Sequence, residues 1–243
     1  MIPVEICIPA DDRFALRRSL RQAMAGGAAR VELCRELACG GVTPAAADMR
    51  QARRLLPAHV ALQVLVRPRN THVEIGPRVL SRMLDQIDCC ADEGADGVVL
   101  GALRGAHLDW PVLNRLLERS HARGLSVTFH RAYDELAHPE NGLSALARAG
   151  VSRVLSSGSP GLHSAGVAQG AQRLASSLRA AGNRIELVIG GGLTHLLAAR
   201  LLQELPIAGR RISLHAHSCV MRDGHVEAAL VRKLVRLTHR APC

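Results

Sequence analysis

Short β-branched or apolar runs recur along the whole chain, at Val4 to Ile8, Arg30 to Cys34, Ala61 to Arg67, Gly97 to Leu100, Ser126 to His130, Arg153 to Ser156, Arg184 to Ile189 and Arg211 to His215. Their starts fall roughly 30 residues apart, the length of one strand-plus-helix unit. A sequence with this period has few folds open to it. The eight runs in the sequence predict closure into a single (β/α)₈ TIM barrel, one domain over residues 1–243.

Helical stretches fill the gaps: Arg13 to Met24, Ala45 to Leu56, Val79 to Glu93, Val112 to Arg123, Asn141 to Ala149, Gln169 to Ala181, Leu196 to Leu205 and Glu227 to Thr238. Asp11 or Asp12 is placed to cap the first, Thr43-Pro44 to open the second and Asp109 to cap the fourth. The rival architecture is an open doubly wound sheet. Its strands, covered by helices on both faces, read as unbroken apolar runs. Here Leu62, Val64 and Val66 alternate with Gln63, Leu65 and Arg67, and Ile212 and Leu214 alternate with Ser213 and His215. One face of each strand is therefore expected to meet helices, while the other faces a lumen that accepts acids, amides and imidazoles.

Composition narrows the function classes. The formal charge is +10, and Lys233 is the only lysine. A basic surplus raises nucleic acid as a partner. Phe14, Trp110, Phe129 and Tyr133 are the whole aromatic complement, so no stacking platform exists for single strands, and the arginines are spread over many segments as solvated helix faces. Nucleic acid is accordingly ranked last. No apolar run reaches about 18 residues and the start lacks a signal-peptide pattern, so a cytoplasmic protein without membrane contact is expected. The seven cysteines contain no CxxC pair and are read as thiols.

Two segments carry one signature. Val4-Glu5-Ile6-Cys7 and Val31-Glu32-Leu33-Cys34 each put a carboxylate and a thiol on one strand face. Barrel chemistry collects at the carboxyl ends of strands. That gathers Cys7, Cys34, Arg67, His130, Arg131, His215 and His217 at one mouth, with Glu5 and Glu32 a layer deeper. Thiolates favour Cu(I) and zinc, and imidazole suits copper and zinc alike. Cys7, Cys34, His215 and His217 are the candidate metal ligands. Plain packing of buried Cys and His is the competing reading. Arg67 and Arg131 are suited to an anion, with Arg67 pairing internally to Glu32 or Glu5 as the alternative. Gly190, Gly191 and Gly192, with Ser157, are candidates for a phosphate cradle or for tight turns. His130 with Asp134, and Glu5 or Glu32 as acid, would make an acid/base set for a small anionic or phosphorylated substrate. Cys34 beside His130 is a candidate nucleophile.

Taken in order, Glu5-Ile6-Cys7, Val31 to Cys34, Gly40-Gly41-Val42-Thr43-Pro44, Arg67-Pro68-Arg69, Asp96 to Gly101, Val127 to Asp134, Ser157-Gly158 and Gly190-Gly191-Gly192 resemble the CutC copper homeostasis proteins from residue 4 to about 217. The resemblance implies a cytoplasmic barrel, a homodimer or higher homo-oligomer, tied to copper tolerance and binding Cu(I) through Cys7 and Cys34. Three departures stand out. Asn70 to Ile75 replace the family's Gly-Gly-Asp-Phe-x-Tyr, His215-Ala216-His217 stands for His-x-Ser, and Leu196 replaces an Asn at the seventh helix. The second imidazole favours a metal reading.

Overall fold

A computed structural model of the chain describes residues 2–68, 74–161 and 166–239, so the loop departure at Asn70 to Val73 lies outside the described residues. Eight strands form a closed barrel: β1 (Val4–Pro9), β2 (Arg30–Cys34), β3 (Ala61–Leu65), β4 (Gly97–Leu100), β5 (Ser126–Phe129), β6 (Arg153–Ser156), β7 (Glu186–Ile189) and β8 (Ile212–Ala216). Each pairs in parallel with the next, and β8 returns to β1 with Val4 opposite Leu214 and Glu5 opposite His215. Between and after them run α1 (Arg13–Gly26), α2 (Ala46–Leu55), α3 (Pro77–Asp92), α4 (Trp110–Ala122), α5 (Pro139–Arg148), α6 (Ala171–Ala181), α7 (His195–Glu204) and α8 (Ala228–Thr238). None of the described helices is long and apolar enough to cross a membrane.

Period-2 alternation divides the side chains as the sequence implies. Ile6, Ile8, Val31, Leu33, Leu62, Val64, Val127, Phe129, Leu187, Ile189 and Leu214 point outward into a core shared with helix residues such as Leu16, Leu20 and Leu234. Full burial of each such side chain is worth about 1.5–3 kcal/mol, so this shell carries the fold. On the inner face Cys7, Cys34, Leu65 and Val99 make a separate small apolar cluster.

Two short hairpins extend the mouth after β4 and β8, pairing Leu103–Arg104 with His107–Leu108 and Met221–Arg222 with His225–Val226. Two-residue strands are too short to show alternation. The second hairpin turns on Asp223-Gly224, both at positive φ (49° and 77°), the pair that a tight I′ turn selects.

Cap placement needed one correction. Asp12 accepts from Ala15 N (2.7 Å) and Asp109 from Val112 N (3.4 Å). Thr43 does not cap α2. Its hydroxyl donates to Gln86 Oε1 (2.9 Å) and accepts from Arg67 N (2.8 Å), so it ties the end of β3 to α3, and Ala45 stands at the cap position. At α7, Thr194 accepts from Leu197 N (3.1 Å) and supplies a hydroxyl cap; Leu196 is 80% exposed.

Candidate metal centre

The amino end of the lumen is filled by a closed polar network. Arg30, Ser126, Arg153 and Glu186 are the first residues of their strands, and all point inward. Arg30 donates from Nε to Glu5 Oε2 (3.1 Å) and from Nη2 to Glu186 Oε1 and Ser213 Oγ (both 2.6 Å). Arg153 donates to Thr128 Oγ1 (2.9 Å), Gln63 Oε1 (2.8 Å) and Ser126 Oγ (2.7 Å). Buried guanidinium and carboxylate are tolerated here because each is paired. The sequence reading passed over Arg30, although the alternation Arg30, Glu32, Cys34 on β2 puts it on the same face as Glu32.

Arg30 also corrects the pairing expected for Arg67. Glu5 is neutralised by Arg30, whereas Arg67 Nη1 donates to the carbonyl oxygens of Gly40 (2.8 Å) and Gly41 (2.9 Å) and braces the loop after β2.

One layer higher the two signature segments meet. Cys7 and Cys34 are 2% and 0% exposed, and their Sγ atoms lie 3.6 Å apart across β1 and β2. His215 Nδ1 donates to Glu5 Oε1 (2.7 Å) and lies 3.8 Å from Glu32 Oε2. Ligand atoms of Cys7, Glu32 and His215 all fall within 4.8 Å of one another, the one such cluster of three or more among the described residues. Space for the imidazole comes from Gly190 at the end of β7: a Cβ there would sit 2.8 Å from His215 Cβ and 3.0 Å from Leu155 Cδ1.

The electrostatics separate the two carboxylates. Burial alone would raise Glu5, but the hydrogen bond and charge of His215, with Arg30 and Arg153, hold it at about 2. Burial, aided by the Glu5 charge and opposed by His215, pushes Glu32 up to about 7. His215 is itself raised, because Glu32 and Glu5 together outweigh its burial. The Cys7 thiol is driven well above the usual range by its own hydrogen bond with Cys34 and by burial. Among the described residues, Glu32 Oε2 is one of three buried side-chain atoms without a hydrogen-bond partner, with Arg35 Nε and Glu227 Oε2, and it is the one that belongs to the Cys7–Glu32–His215 cluster.

The other candidates surround this cluster in different roles. His217 is half-buried with Nδ1 at 3.1 Å from the Cys7 carbonyl oxygen, so it flanks β1 without joining the Cys7–Glu32–His215 group. His130 accepts from Ala132 N at Nδ1 (3.2 Å) and is lowered to about 4, chiefly by burial and then by Arg67. A Cβ on Gly101 would stand 2.6 Å from its Cε1, so the ring occupies space that glycine leaves.

The expected His130–Asp134 pair is not formed. Asp134 accepts from Ser156 Oγ (2.5 Å), Ser157 N (2.9 Å), Ser157 Oγ (2.8 Å) and Gly158 N (3.3 Å), and Arg131 Nε stands 3.4 Å away. Four donors on the neighbouring loop outcompete one imidazole. Arg131 in turn donates to Ser157 Oγ (3.0 Å) and Gly161 O (3.3 Å) and lies over Gly191, whose Cβ would meet the guanidinium at 3.1 Å. Gly191 sits at φ +98°, with its carbonyl accepting from Val167 N (2.9 Å); Gly190 N donates to Ser156 O (3.0 Å), and Gly192 adopts φ +73°. The triple glycine forms a turn against the β6 loop.

Comparison with known proteins places this pocket in a lineage. A CutC family model matches residues 2–215. A CutC family protein of Vibrio cholerae is 34% identical over 224 residues, 92% of this chain and 82% of its own length. One from Bacteroides thetaiotaomicron is 37% identical over 186 residues, covering 76% of this chain and 72% of its own. Among solved structures, the copper homeostasis protein CutC of Streptococcus agalactiae superposes with a TM-score of 0.76 at 26% identity, covering 89% of this chain and 99% of that one. A 2-keto-3-deoxy-6-phosphogluconate aldolase of Zymomonas mobilis, with a TM-score of 0.57 at 15% identity over 99% of this chain and 92% of its own, shares the barrel alone. Since the family match runs from the first strand through His215, and so takes in every strand that builds the pocket, the chain belongs to the CutC family.

Proposed function

We propose that this chain handles copper, capturing Cu(I) at the carboxyl end of the barrel through the thiolates of Cys7 and Cys34, with His215 and His217 beside them. The observation that carries this reading is the pair of buried sulfurs 3.6 Å apart on adjacent strands. Metal–thiolate bonds run to about 2.3 Å in zinc sites, so one ion of similar size between the sulfurs reaches both. Soft sulfur donors select Cu(I), and the apolar surround of Leu65, Val99 and Leu37 keeps water off the thiolates.

Because the Cys7 thiol holds its proton tightly, loading must release protons, and affinity rises with pH. The family reading also carries a cytoplasmic location, where thiols stay reduced, and a homo-oligomeric assembly. Anaerobic competition against bicinchoninate tests the site. Wild-type protein should take one Cu(I) per chain, and Cys34→Ala should weaken that binding by at least tenfold; unchanged affinity in the variant refutes the reading.

A further inference from the structure

The two-sulfur reading leaves one feature of the pocket without a role. Glu32 Oε2 is buried, faces the lumen and has no hydrogen-bond partner, yet it lies in the cluster whose ligand atoms are within 4.8 Å of one another. A buried carboxylate oxygen with no donor is costly unless something positive completes it. The described protein does so only in part: His215 Nδ1 stands 3.8 Å away, beyond hydrogen-bond reach, and gives its hydrogen bond to Glu5, while Arg30 is committed to Glu5, Glu186 and Ser213.

We propose that Cys7, Glu32 and His215 form a second donor set that holds a borderline divalent cation, zinc, in the same pocket. The chemistry of the set decides between ions. Magnesium and calcium take oxygen shells and have no use for a thiol and an imidazole. Cu(I) is soft and gains little from a carboxylate. One sulfur, one nitrogen and one carboxylate oxygen suit Zn²⁺, and three protein donors is the number found where zinc keeps an exchangeable fourth position. Donors of a tetrahedral zinc shell stand about 3–4 Å apart, so side-chain adjustments of about an ångström close the set.

The surroundings supply the remaining requirement. A metal-bound imidazole ordinarily gives its other ring N–H to a carboxylate, which fixes the tautomer. His215 does this through Nδ1 to Glu5, and Glu5 is held in turn by Arg30. Cys7 is common to both donor sets, so zinc and Cu(I) compete for one pocket, with Glu32 serving the first ion and Cys34 the second. This inference goes beyond the copper reading and rests on a different atom.

Zinc chloride titrated into the metal-free, reduced full-length protein, followed by a chromogenic chelator and by native mass spectrometry, tests it beside the bicinchoninate assay. Wild type should bind one Zn²⁺ per chain. Glu32→Gln should weaken zinc at least tenfold while leaving Cu(I) within about threefold, and Cys34→Ala should show the opposite pattern. Circular dichroism of each variant confirms that it is folded. A wild type that takes Cu(I) but no zinc, or a folded Glu32→Gln with unchanged zinc affinity, overturns the inference and leaves the copper reading standing. Zinc binding lost in Glu32→Gln, with no Cu(I) bound by wild type, supports it and removes the copper reading alone.

Discussion

At the amino end of the lumen Arg30 and Arg153 are satisfied by carboxylates, hydroxyls and an amide, whereas one layer higher Glu32, just as buried, keeps an oxygen without a hydrogen-bond partner. Both ends are polar and enclosed. Only the second is incomplete, and incompleteness in a buried site is what a ligand repairs. Burial and charge alone would not have told the satisfied end from the incomplete one.

The largest expected effect breaks the satisfied end. Arg30→Met leaves Glu5 and Glu186 buried without their cation and should cost about 3–5 kcal/mol. Thermal unfolding should show a fall in Tm of roughly 10 °C or more, and a fall of a degree or two would mean the network is not what holds that end together. The incomplete end should respond with the opposite sign. Glu32, held at about 7 against 4.5 when unfolded, contributes fully below pH 4.5, and that contribution is lost as pH rises to about 7. Glu32→Gln should therefore stabilise the metal-free protein at pH 8, by at most about 3 kcal/mol, and change little at pH 4.5. Denaturant midpoints at the two pH values read this directly; a destabilised variant at pH 8 would mean that the attraction of His215 outweighs the burial cost of the Glu32 charge.

A smaller effect probes the wall between the ends. Gly190→Ala pushes a methyl against His215 and Leu155 and should cost about 1–3 kcal/mol, with metal affinity falling alongside stability because the imidazole must shift. The smallest concerns the rim. His130, lowered to about 4, stays neutral at pH 7, and its contribution is present above 6.5 and lost as pH falls towards 4. His130→Gln should flatten the stability profile between those values while leaving metal affinity at pH 7 within about twofold; a large loss of affinity would move His130 into the metal site.

Much of this was legible in the sequence because it depends on local periods. Strand spacing gave the barrel, and alternation put Glu5, Cys7, Glu32 and Cys34 on the inner face. What escaped depends on register across strands far apart in the chain. Arg30 touches Glu186 and Ser213, 156 and 183 residues away, and no local pattern announces such partners. Asp134 was misassigned for a related reason. Nearness in sequence favoured His130, while the fold brought the donors of Ser156, Ser157 and Gly158 closer.

The ring closes where β8 meets β1, and the bond from His215 to Glu5 spans 210 residues. A chain still emerging from the ribosome therefore owns both thiols long before it owns the imidazole that stands beside them. Under the zinc proposal the Cys7–Glu32–His215 set is therefore whole only once the last strand has closed the ring, and zinc held there would report that synthesis and closure are complete.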